Sequence, residues 1–139
     1  MKRSMLLVRL LTASSLVAGS LVATGSPVSA AIDCRRGTQM DIGYTIKQDG
    51  KIKGSASYTS CSNRPITRAE IWIRRGGGRL FGTKVEIKNI ATPSQREFSP
   101  KDLWCNGKAR ATFDTFVVFY HPGGGKTELN SNDIRVPCD

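Results

Sequence analysis

The stretch ARATFDTFVVFYHPGGGKTEL, residues 109–129, decides the fold. Its first half is strand-like. Phe116, Val117, Val118 and Phe119 are apolar in succession, so both faces of the segment are apolar, as in a central strand of a sheet. Its second half, Gly123-Gly124-Gly125-Lys126-Thr127, spells the end of a phosphate-binding loop. The full pattern requires a glycine five positions before Gly125, and Tyr120 stands there. It also requires a helix after the threonine, to present its N-terminus to phosphate. Glu128-Leu129 instead runs at once into the turn residues Asn130-Ser131-Asn132-Asp133. The stretch therefore reads as a long strand, a glycine hairpin tip of positive φ, and a return strand. No nucleotide site is expected.

Upstream, the pattern has period two nearly throughout. Met40, Ile42, Tyr44 and Ile46 alternate with Asp41, Gly43, Thr45 and Lys47, predicting one half-buried strand. Asp49-Gly50 predicts a hairpin, and Ile52, Ala56 and Tyr58 continue the buried face on the return. Residues 69–74 form a further strand, with Ala69, Ile71 and Ile73 on one face and Trp72 on the other. Gly76-Gly77-Gly78 turn it, and residues 79–88 return with Phe81, Val85 and Ile87 inward. Residues 91–102, with Pro93 and Pro100, read as a long connection, followed by Leu103, Trp104, Cys105 and an Asn106-Gly107 turn. Residues 134–137, IRVP, close the chain. No segment has helical periodicity. The expected fold is all-β: a small disulfide-stabilised sandwich of about six to seven antiparallel strands, immunoglobulin-like in general architecture. It lacks the Cys…Trp…Cys spacing of an antibody domain.

The start of the chain has a different character. Residues 1–30 carry Lys2, Arg3 and Arg9 and no acid, then an apolar, small-residue stretch, with Val28 and Ala30 before an expected cleavage. That is the pattern of a secretory signal peptide. Removing thirty residues from 139 leaves 109, residues 31–139, enough for one domain with a modest core. With three of the 21 basic residues gone, eighteen remain against eleven acids, a net charge of +7. This balance suits an acidic partner, whether a negatively charged protein face, an anionic cell wall or nucleic acid, and it is also common among exported proteins without an anionic ligand. Nucleic acid is not expected as the partner.

Cys34, Cys61, Cys105 and Cys138 all follow the signal segment. An even count in a small exported chain reads as two disulfides, and their wide spacing does not suit a zinc site. Three pairings are possible. Cys34–Cys61 and Cys105–Cys138 is preferred, because each pair brackets one candidate hairpin. With one histidine and no free cysteine, no metal or other cofactor is expected.

Candidate binding residues come from two similar tips. Arg74, Arg75 and Arg79 flank the first glycine triplet and Lys126 follows the second. They read either as binding loops for an acidic partner or as solvated hairpin turns. Trp72, between Glu70 and Arg74, reads either as part of a second apolar face or as an exposed anchor of the kind enriched at binding hot spots. Trp104, beside Cys105, is expected to pack on a disulfide. His121 is the single histidine. A ribonuclease-like set would combine it with Arg74 and either Glu70 or Glu86, while its plainer reading is a strand-ending residue before Pro122.

In size, disulfide content and all-β character, the chain resembles the small adaptor subunits of bacterial umbrella toxin particles. The resemblance implies a secreted, extracellular, non-enzymatic module that links other subunits of an assembly. The alternatives are an inhibitor of a secreted protease and a small basic secreted nuclease. A rigid inhibitory loop, which preorganisation would favour, is hard to reconcile with three consecutive glycines.

Overall fold

A computed structural model describes residues 31–138 apart from 77, 78, 81, 82, 106 and 108, with the backbone alone at Arg79 and Leu80. The expected signal segment, the Gly77-Gly78 turn, Phe81 and Asn106 lie outside the described residues. Residues Ile32–Asp139 form one compact unit.

The chain order is β1 (Gln39–Ile42), β2 (Ile46–Gln48), β3 (Lys51–Lys53), β4 (Ala56–Ser60), β5 (Arg68–Arg75), β6 (Arg79–Leu80), β7 (Val85–Ile87), β8 (Ser94–Phe98), β9 (Leu103–Trp104), β10 (Arg110–Tyr120), β11 (Lys126–Asn130) and β12 (Ile134–Pro137). Five consecutive couples are each one strand with a break in it. Both β1 and β8 pair with β4, while β2 and β9 pair with β3. In the same way β6 and β7 share β5, and β11 and β12 share β10. The result is a seven-stranded antiparallel sandwich. The smaller sheet consists of two successive three-stranded ladders, β1-β4-β8 and β2-β3-β9, whose registers continue one another, so that it counts as three strands, β1/β2, β3/β4 and β8/β9. The larger has four, β11/β12, β10, β5 and β6/β7. The β6/β7 strand lies beside β5 rather than joining the smaller sheet, which distinguishes the topology from that of an antibody constant domain.

The core follows from the period-two positions. Ala69, Ile71 and Ile73 of β5 and Phe113, Val117 and Phe119 of β10 are all buried on the inner face. Tyr58, Phe98 and Phe119 meet edge to face, with ring centroids 6.0–6.2 Å apart, and join the two sheets. A second cluster around Ile52, Ile73 and Phe113 surrounds Cys105 and Cys138. Both preferred disulfides are formed, Cys34–Cys61 and Cys105–Cys138. The first ties the segment before β1 to the end of β4. The second joins the end of β9 in one sheet to the end of β12 in the other, so each disulfide closes one end of the sandwich. The Asp49-Gly50 hairpin is present, with both residues at positive φ, 52° and 74°.

Three expectations need correction. The strand expected to run unbroken through residues 40–47 breaks at 43–45, and its alternation changes phase. Met40 and Ile42 pack on the core, but Tyr44 and Ile46 point outward and Thr45 is buried. The cause is a polar knot between the sheets. The Thr45 hydroxyl lies 2.7 Å from that of Thr115 and 2.6 Å from that of Ser131, and the Thr45 amide donates to Asn132 Oδ1 at 2.9 Å. The breaks at 43–45, 54–55 and 131–133 all gather around Thr115. The proline-flanked connection contains β8, an edge strand whose Gln95, Arg96 and Glu97 are exposed and whose single apolar residue is Phe98. Trp104 does not pack on the disulfide. It is 59% exposed, while Leu103 turns inward toward Ile52 and the Cys105 cluster.

Gly54 sits against the knot. A Cβ there would overlap the Thr115 hydroxyl and approach Thr115 Cγ2 to 2.9 Å. Gly54→Ala is therefore expected to cost about 1–3 kcal/mol by overpacking, read as a lower urea midpoint. An unchanged midpoint would mean that the knot can give way.

Candidate functional site

The face of the larger sheet turned away from the core is built by register. β5 and β10 place Arg68 beside Tyr120, Glu70 beside Val118, Trp72 beside Phe116, and Arg74 beside Asp114. The residues between them are committed to the core, so this set must face outward. Trp72 stacks on Phe116, with ring centroids 5.7 Å apart. The Arg74 guanidinium lies 4.5 Å over the Phe116 ring and that of Arg68 lies 3.7 Å over Tyr120. Lys84 approaches Trp72 at 5.7 Å. Cations and rings thus alternate along one flat face.

Carboxylates neutralise the cations. Arg74 grips Asp114 with two parallel hydrogen bonds, Nε to Oδ1 at 2.9 Å and Nη2 to Oδ2, and both side chains are largely buried. Hydrogen bonding to Asp114 raises the Arg74 pKa above its ordinary value, against the opposing effect of burial. Glu70 is buried between Arg68 and Lys84, and Arg68 also reaches Glu86 at 3.3 Å. Lys126 pairs with Glu128 at 2.9 Å. The face is a fixed array of rings and guanidinium planes, held by charge pairs, rather than a surplus of free positive charge.

The residues expected from the sequence are divided by this geometry. Trp72 and Arg74 belong to the array, and Trp72 is half-buried on the outer face rather than part of a second core. Arg75 points to the other side of β5, 5.8 Å from the Phe113 ring. The Arg79 backbone pairs with Arg75, and its side chain lies outside the described residues. Lys126 is opposite Tyr120, while Arg75 is opposite Phe113. These two positions are seven residues apart along β10, so Arg75 and Lys126 stand about 23 Å apart at opposite ends of the sheet. They do not form one site. Arg68, Asp114, Phe116 and Tyr120 were missed. Their signal was present in the outward period-two positions of 68–74 and 114–120.

The second tip is a hairpin. Gly123 and Gly124 have positive φ, 84° and 91°, and Lys126-Thr127 enter a strand rather than a helix. His121 locks its base. The Pro65 carbonyl, 2.8 Å from Nδ1, can only accept, so Nδ1 donates to it, and Nε2 lies within hydrogen-bond distance of the Thr127 hydroxyl, at 2.9 Å. The trio of His121, Arg74 and Glu70 or Glu86 is not assembled. Arg74 lies beside Asp114, at the opposite end of the sheet from His121. Among the described residues no group of three potential metal ligands occurs, and no helix is long and apolar enough to cross a membrane.

These features define a class, a small disulfide-closed antiparallel β-sandwich with an aromatic and guanidinium face. The chain matches no protein-family model, no curated protein and no solved structure.

Proposed function

We propose that this chain is a secreted, non-enzymatic protein-binding module, serving as an adaptor subunit of an extracellular, toxin-like assembly. The array of Trp72, Phe116, Arg74, Arg68 and Tyr120 carries the reading. Trp, Tyr and Arg are the side chains that anchor protein interfaces. Here they are fixed before binding by Asp114, Glu70 and Glu86, which lowers the ordering cost of association. The two disulfides are compatible with an oxidising, extracellular setting. The partner is another secreted protein, offering apolar surface to Trp72 and carbonyl or carboxylate oxygens to the guanidinium edges.

The test is capture from the producer's culture fluid by the oxidised protein fixed on beads. Another exported protein should be retained at fixed stoichiometry. Trp72→Ala should weaken its retention about thirtyfold, the effect of losing about 2 kcal/mol at a hot spot. Arg96→Ala, exposed on the edge strand β8 of the other sheet, should change it little. Capture of nothing, or equal capture by Trp72→Ala, would overturn the reading. Capture of a protease alone, silenced at equimolar protein, would replace it with inhibition.

A further inference from the structure

The opposite face of the sandwich has a different surface. On the half of the smaller sheet made by β2, β3 and β9, the large apolar side chains Tyr44 (81% exposed), Ile46 (47%) and Trp104 (59%) point into solvent. The register arranges them around lysines. Gln48, Lys51 and Trp104 form one row across the sheet, and Ile46 and Lys53 form the next. Lys51 Nζ sits 4.6 Å over the Trp104 ring. Lys53 is 3.9 Å from Asp102, and Asp49 stands on the adjoining turn. Arg75 and Arg110 lie at the same end of the sandwich, since Arg110 pairs with Pro137 beside the Cys105–Cys138 disulfide. Asp41 and Glu97, in register with Ser57, are on the other half of this face. Positive charge therefore exceeds negative around the exposed rings.

The chemistry favours one occupant. Lysine is depleted in the cores of protein interfaces, yet here Lys51 and Lys53 form the centre of the patch. A lysine stem can lie along apolar surface while its ammonium reaches outward to a phosphate. Tryptophan and tyrosine combine an apolar body with a polar tip and collect at the headgroup level of bilayers. We infer that this end of the sandwich docks on an anionic phospholipid surface, with Trp104, Ile46 and Tyr44 entering the headgroup boundary and Lys51 and Lys53 meeting lipid phosphates.

Vesicle sedimentation with tryptophan emission tests this. The protein, with both disulfides closed, is mixed with vesicles of phosphatidylcholine alone or with equal parts of phosphatidylglycerol. Binding and a blue shift are expected on the anionic vesicles only, and added salt should release the protein. Trp104→Phe should keep much of the binding and abolish the shift, whereas Trp72→Phe should keep both. Trp104→Ala should weaken binding about tenfold, and Lys51→Gln about fivefold, as expected for one cation near a charged bilayer. Binding that ignores lipid charge or Trp104 would overturn the inference. So would no vesicle binding with retention of an acidic protein at this face, which would assign the patch to a protein instead.

Discussion

Phe119→Ala is expected to remove about 3–5 kcal/mol of stability, the range for a buried phenylalanine cut back to a methyl group. Phe119 is fully buried and meets both Tyr58 and Phe98, so its loss opens a cavity at the point where the sheets join. Tyr58 and Phe98 are themselves held by β4 pairing with β8, which limits their collapse into the space. A small domain is stable by only about 5–15 kcal/mol, so the variant should unfold at low denaturant. Urea unfolding would show a reduced midpoint with an unchanged slope. A loss below about 1.5 kcal/mol would mean that the neighbouring rings refill the cavity.

The joint change Cys105→Ser and Cys138→Ser is the other large effect. The two disulfides span 33 and 27 residues. Loop closure alone therefore gives each about 3.5 kcal/mol. Their surroundings differ. Cys105 and Cys138 are buried in the second core cluster, whereas Cys34 is exposed. Serines at 105 and 138 would also place two hydroxyls among apolar groups, at a further cost where they find no partner. The Cys105/Cys138 variant should thus unfold at lower urea than the Cys34/Cys61 variant under the same oxidising conditions. Equal midpoints would show that chain entropy alone sets the contribution of these bonds.

Legibility in the sequence divided along physical lines. Positions 69–73 and 113–119 could be read because burial there coincides with regular alternation in long central strands. The Asp49-Gly50 turn could be read because its chemistry is local. Thr45 could not, because its burial depends on Thr115 and Ser131, which lie 70 and 86 residues away. β8 looked like a connection because an edge strand with one buried side chain has no pattern to show. At the candidate site, Trp72 and Arg74 were visible as residue types. Their association with Phe116 and Asp114 was not, since it arises only from the β5–β10 register. The glycine tips looked like a pair because they are alike in sequence. Antiparallel pairing puts the flanking cations Arg75 and Lys126 at opposite ends of the sheet.

The placement of the two disulfides also governs how the molecule would respond to being pulled. Tension applied from outside Cys34 and Cys138 passes across each S–S bond directly, to Cys61 and Cys105. The loops enclosed by the two bonds, including all of β10 and the hairpin of β2 and β3, carry none of that load. Only the chain between Cys61 and Cys105 can pay out, roughly 150 Å at full extension, against roughly 360 Å for the same span with both bonds reduced. Held between two partners in an oxidising medium, the domain would act as a short tether of fixed maximum length. Reduction would more than double its reach.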